Sequence, residues 1–188
     1  MAGKNIVYFD LETQRSFGDV GGFSNKSKMG VSVAVTYSTA RGTYEIYGEN
    51  EMDKLGEELV RADLVVGWNH IQFDYPVLQP YIFHTLADQT VNLDMMLDLE
   101  TRVGFRLKLD SVASASLGTG KTADGLDALR WWQEHKKSGN FGPLRKIAEY
   151  CAFDVKVTKC VHEYALEHGF LRYDDRNGGI VDVKIDWP

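Results

Sequence analysis

The chain has 188 residues, of which 44% are hydrophobic and 26% charged, ordinary values for a soluble globular protein and enough chain to bury about 70% of its unfolded surface in one core. Its 27 acids outnumber its 21 Lys and Arg, for a formal net charge of −6, which excludes passive, charge-driven wrapping of nucleic acid. An enzyme that meets phosphate through bound cations stays open, because those cations come from solution.

Taken in chain order, IVYFDLET opens the pattern: Ile6–Leu11 reads as a buried strand running into Asp10 and Glu12. Residues two apart on a strand share a face, so the two carboxylates stand side by side and repel unless a proton or cation lies between them. Residues 13–29 are rich in Gly, Ser and Asn and read as a long loop. VSVAVTYS (31–38) and TYEIYGEN (43–50) are β-rich and form a hairpin through TARG. Residues 51–62 have helical spacing at Met52, Leu55, Leu59 and Val60, and DLVVGWN (63–69) is another short strand. A helix is expected over 71–83 with Pro76 in its first turn. Residues 91–103 read as a short strand passing into a helix. Two further helices are expected at 109–118 and 124–137, then a long one from 143 to Gly169. The tail reads as two strands around an Asn177-Gly178 turn. Strands with hairpin character followed by alternating strands and helices predict an α/β fold, a mixed sheet covered by helices, as one domain over residues 1–188.

Cys151 and Cys160 fall on one expected helix, about 13 Å apart, too far for a disulfide. Early acids interrupt the apolar N-terminal run, so no signal peptide is expected. No run approaches the roughly 18 apolar residues of a membrane span. The expectation is a cytoplasmic protein with no membrane contact.

Three acidic clusters carry the chemistry. Asp10 and Glu12 form the first. In the second, GWNHIQFDYPVLQPY, Asp74 lies near a helix start, where a carboxylate gains from the helix dipole; that explains the acid but not its neighbours Asn69 and Phe73. In the third, AEYCAFDVKV, Tyr150 and Asp154 are one helical turn apart and project from one face. They border the stripe of Ile147, Cys151, Val155 and Thr158, which marks the core side. Each cluster alone has a plain structural explanation.

The ordered series FDLET, N-x-x-x-F-D, Y-x-x-x-D resembles the DEDD family of 3′–5′ exonucleases, and the tyrosine marks its DEDDy branch; the histidine branch would need His where Glu149 stands. NHIQFDYPVLQPY and YCAFDVKVT resemble the second and third exonuclease motifs of family B DNA polymerases, and LKLDSVASASLGTGK resembles the stretch between them. The likeness runs from about residue 5 to 165, with no polymerase segment. It is to a stand-alone proofreading exonuclease domain.

Two other patterns are decoys. LGTGKT lacks a P-loop's first glycine, since position 115 is Ala115, and follows a helix rather than a strand. DDRNGG lacks a calcium loop's alternating ligands. Trp131 and Trp132 read as packing residues.

The resemblance implies a ribonuclease H-like fold, two Mg²⁺ or Mn²⁺ ions, and single-stranded DNA 3′ ends as substrate, with RNA as the alternative. Hard oxygen ligands suit those ions, and two cations can together relieve the Asp10–Glu12 repulsion and stabilise phosphoryl transfer. By resemblance, Asp10 bridges both ions, Glu12 and Asp154 hold the water-activating one, Asp74 acts on the second, and Tyr150 orients the water. Leu11, Thr13, Asn69 and Phe73 would border the terminal nucleotide. Lys26, Lys28, Arg102, Arg106, Lys108 and Lys121 are candidate phosphate contacts, and so acidic a chain is expected to need a polymerase or helicase partner for processive action. The rival from another class is a catalytically silent nucleic-acid-binding module, disfavoured by the presence of all four acids and Tyr150.

Overall fold

The computed structural model describes residues 3–118, 125–175 and 178–188. Strand β1 (Ile6–Thr13) is central. It pairs antiparallel with β2 (Val31–Ser38), which pairs antiparallel with β3 (Thr43–Gly48). On its other edge β1 runs parallel to β4 (Leu64–Gly67), and β4 to β5 (Asn92–Asp94), giving the order β3-β2-β1-β4-β5. The chain returns to the parallel side through helix α2 (Met52–Arg61), as parallel neighbours require a crossover.

Alternation along β1 divides the core into two layers. Val7, Phe9 and Leu11 pack with Leu55 and Leu59 of α2 and with Val77 and Leu78 of α3 (Asp74–Leu78). Tyr8 faces the other layer, with α4 (Leu86–Gln89) lying on the first side and α5 (Met95–Val103), α6 (Leu109–Leu117), α7 (Gly125–Ser138) and α8 (Phe141–His168) on the second. Asp10 and Glu12 share the parity of Tyr8, so they turn towards α8. Ile147, Cys151 and Val155 of α8 are wholly buried and Thr158 nearly so, which bears out the stripe read from the sequence. Strands β6 (Phe170–Asp174) and β7 (Ile180–Lys184) form the C-terminal hairpin; Ser116 Oγ of α6 exchanges hydrogen bonds with the backbone of Arg172.

Several expected boundaries shift for identifiable reasons. Strand β1 does not stop at the acids; its ladder with β2 continues to Thr13 opposite Val31, with a bulge after Glu12. The expected loop 13–29 contains α1 (Phe17–Val20), held by a capping box between Ser16 and Asp19, and a 3₁₀ turn at Phe23–Lys28. The helix expected over 71–83 is only Asp74–Leu78 followed by 3₁₀ Gln79–Tyr81. Pro80 has no N–H to offer the carbonyl of Pro76, and residues 68–73 are held as a loop by side-chain contacts described below. The short helix α4 is an addition to the expected elements. The Asn177 turn position and Lys121 lie outside the described residues.

Candidate active site

The parallel pairing of β1 with β4 covers only Ile6 to Tyr8. Beyond Tyr8, among the described residues, no strand pairs with this edge of β1. The first residue of α3 comes in there, and the backbone N–H of Leu11 lies against the Asp74 carboxylate. The short β4 therefore brings the second acidic cluster to the first, while α8, packed on β1 and β2, brings the third.

One carboxylate oxygen from each of Asp10, Glu12 and Asp154 lies within 4.8 Å of the other two, and all three residues are half-buried. Burial first, then Asp74, Asp154 and Glu12, raise the pKa of Asp10 well above the ordinary range. Glu12 is raised by burial and then by Asp154 and Asp74. Asp74 is 2% exposed and stands outside that trio. Burial raises its pKa from 3.8 to about 8, against the pull of its own and Leu11's backbone N–H groups. Like-charged groups this close hold protons in the absence of a cation.

The remaining groups are set from the same elements. Tyr150 donates its hydroxyl to Asp154, and burial together with the surrounding acids drives its pKa up, so the phenol stays protonated. Cys151 turns its thiol to Asp10, 3.3 Å from the backbone oxygen and 3.5 Å from Oδ2. A cleft of about 510 Å³ opens over the site, lined by Asp10, Trp68, Asn69, Arg106, Lys108 and Tyr150 among others. Asn69 adopts φ 64°, a left-handed conformation that asparagine tolerates better than most residues.

Of the four expected substrate contacts, Asn69 lines this cleft. Leu11 is buried in the layer with α2 and α3, Phe73 packs on that same layer and edge-on to Phe17, and the Thr13 hydroxyl donates to Arg15 O. Among the expected cations, Arg106 and Lys108 are at the cleft, Arg106 also pairing with Glu100. Arg102 is instead tied to Asp98 and Asp186. Sequence reasoning assigns no site role to Trp68, Cys151 or Asp94. Trp68 and Cys151 sit inside the motifs and could be found there; Asp94 gives no local signal beyond a helix N-cap.

The donor set fits hard divalent cations. Three carboxylate oxygens converge, and the buried Oδ1 atoms of Asp74 and Asn69 have no hydrogen-bond partner. The one sulfur beside them, Cys151, is a buried thiol whose pKa burial and the neighbouring acids raise, so it stays protonated and is a poor ligand. Carboxylate ligand sets of this kind favour Mg²⁺ or Mn²⁺ over metals that prefer nitrogen or sulfur.

No curated protein matches the chain. Among solved structures, the family B DNA polymerase from the hyperthermophilic archaeon Pyrobaculum calidifontis is similar, with a TM-score of 0.62 and 16% identity over 87% of this chain and 25% of the polymerase. The chain spans about a quarter of that polymerase, and at this identity the likeness is one of fold. A family model described as the RNase_H superfamily matches residues 7–166, from the central strand through all three acidic clusters to the end region of α8. With its five-stranded mixed sheet in the order β3-β2-β1-β4-β5 and acids gathered on the central strand, this chain belongs to the RNase H superfamily.

Proposed function

We propose that the protein is a metal-dependent 3′–5′ exonuclease that hydrolyses single-stranded DNA from its 3′ end and releases nucleoside 5′-monophosphates. The observation that carries this reading is the meeting of Asp10, Glu12 and Asp154 within 4.8 Å, with Asp74 and Tyr150 adjoining, from three segments far apart in sequence. A silent binding module has no use for so costly a cluster of buried like charges.

In this reading Asp10, Glu12 and Asp154 would hold one divalent cation, and Asp10 with Asp74 would hold a second. Bound there, the pair supplies Lewis acidity at the phosphoryl oxygens and lowers the pKa of a water. The chain's own side chains do the rest. Tyr150, protonated at neutral pH, orients a water by hydrogen bonding and does not remove its proton. Cys151 restrains the Asp10 carboxylate. Arg106 and Lys108, at the cleft, meet phosphates behind the scissile linkage. Trp68 and Asn69 border the terminal nucleotide. Leu11, Thr13 and Phe73 support it from beneath by fixing the strand end and the loop.

The test is degradation of 5′-labelled single strands of DNA and RNA, linear and circular, with Mn²⁺, with Mg²⁺ and with chelator. Stepwise shortening of linear DNA from the 3′ end, only with metal, is expected. Cutting of circles, or equal rates with chelator, would overturn the proposal; faster shortening of RNA would replace the DNA substrate by RNA.

A further inference from the structure

Asp94 ends β5, buried beneath the loop that joins β4 to α3. Its Oδ1 accepts the backbone N–H of Asn69 at 2.9 Å and that of Leu97 at 3.2 Å, and its Oδ2 accepts the N–H of Ile71 at 3.0 Å. The Leu97 bond caps helix α5. The other two reach across 25 and 23 residues of chain and have nothing to do with that helix. They take hold of the loop at two points, one being the residue with positive φ.

At and just after those two tethers the loop delivers both groups that face the site from this side. Asn69 lines the cleft with Asp10, Tyr150 and Asp154. Asp74 begins α3, its backbone fixed by Phe73 N–H to Asn69 O at 2.9 Å and Tyr75 N–H to His70 O at 2.9 Å. Beneath them, Asn92 Oδ1 accepts from Tyr75 Oη at 2.6 Å and lies 3.2 Å from His70 Nε2, so the loop rests on a packed polar floor. Among the described residues, the buried side-chain oxygens without a hydrogen-bond partner are Asn69 Oδ1 and Asp74 Oδ1, which belong to the two residues that the tethered loop presents. Both are acceptors with capacity left over for a further group.

We infer that Asp94 is a positioning residue, which sets Asn69 and Asp74 against Asp10 by tethering the Asn69–Phe73 loop, and so completes the side of the site that takes the second cation. This rests on the metal-site reading above. Asp94 touches neither substrate nor metal in this role; it acts through Asp74 and Asn69. Groups that orient metal ligands in this way are typically worth about 10- to 100-fold in metal affinity or activity.

Asp94→Ser separates the two roles of the side chain. Serine caps a helix well, so the bond to Leu97 N–H survives, but its single hydroxyl replaces two carboxylate oxygens, so the Ile71 tether made by Oδ2 is lost and the Asn69 tether must share the capping oxygen. Mn²⁺ binding would be followed by electron paramagnetic resonance, beside single-turnover rates on labelled single-stranded DNA, for the wild type, Asp94→Ser, Asp74→Asn and the double variant. The expected result is a loss of about 10-fold or more in the rate and in the affinity of one Mn²⁺ class for Asp94→Ser, and little further loss when it is added to Asp74→Asn. If Asp94→Ser does not fold, Asp94→Asn, which keeps the size of the side chain, takes its place in the same cycle. Wild-type rate and Mn²⁺ affinity in the variant, or an equal loss with and without Asp74, overturns the positioning role. A wild type that binds no Mn²⁺ and cuts no strand overturns the proposed function instead, and the two failures are thus told apart.

Discussion

Removing the charge of Asp74 should stabilise the metal-free protein while it destroys the site. The carboxyl is 2% exposed and its pKa is raised from 3.8 to about 8, chiefly by burial. An acid whose folded value is raised gives its full stability below the unfolded value and loses it as pH climbs towards the folded one. At pH 7 the penalty against an unfolded carboxyl is about 4 kcal/mol, and at pH 5 about 1.6 kcal/mol, at 1.36 kcal/mol per unit. The neutral amide of Asp74→Asn would carry no such penalty. It could still accept from Leu11 N–H, although its NH₂ group meets part of the same crowded site, which takes back some of the gain. A net stabilisation of about 2–3 kcal/mol at pH 7 corresponds to a rise in Tm of roughly 5–10 °C for a chain of this size. Calorimetric melting of the wild type and Asp74→Asn in chelator, at pH 5 and pH 7, measures it. The gain should shrink at pH 5, and millimolar Mn²⁺ should raise the wild type more than the variant, since a ligand stabilises in proportion to its affinity for the folded state. A variant that melts at or below the wild type at pH 7 in chelator, or whose advantage is as large at pH 5, refutes the electrostatic account.

Other substitutions probe the remaining parts of the site. Asp10→Ala or Asp154→Ala should remove nearly all nuclease activity without loss of the folded circular dichroism spectrum; wild-type rates at saturating Mn²⁺ would contradict the role given to either acid. Tyr150→Phe should slow the single-turnover rate by on the order of 10²-fold with Mn²⁺ affinity retained, and loss of both together would make Tyr150 structural. Gly67→Ala places a Cβ 2.7 Å from His70 Nδ1, so the buried ring must move; overpacking of this kind costs about 1–3 kcal/mol, read as a lower midpoint in urea. Lys108→Ala should raise KM for single strands and flatten the salt dependence of binding by about 0.7 in the log–log slope, as expected for one lost phosphate contact; an unchanged slope would return Lys108 to the solvated surface.

Much of this protein is written locally. Ile6–Phe9 is an apolar run of strand type, and the two-residue spacing of Asp10 and Glu12 commits both to one face, whatever surrounds them. The four-residue spacing of Tyr150 and Asp154 does the same on a helix, and the stripe Ile147, Cys151, Val155, Thr158 tells which side of that helix is buried. Such features follow from the periods of strand and helix, which need no knowledge of distant chain. The ends of elements are less legible, because distant partners set them. Strand β1 runs on to Thr13 since Val31 is there to pair with it. The helix expected from residue 71 begins only at Asp74 because Asp94, in another strand, holds Asn69 and Ile71 out of helical geometry. Tertiary structure alone decided that β4 leaves the edge of β1 free beyond Tyr8, which gives Asp74 its place beside Leu11. It also decided which cations reach the cleft: Arg106 and Lys108 line it, whereas Arg102 is occupied by Asp98 and Asp186. A sequence shows that a residue is charged; which groups that charge meets depends on what the fold brings within a few ångströms of it.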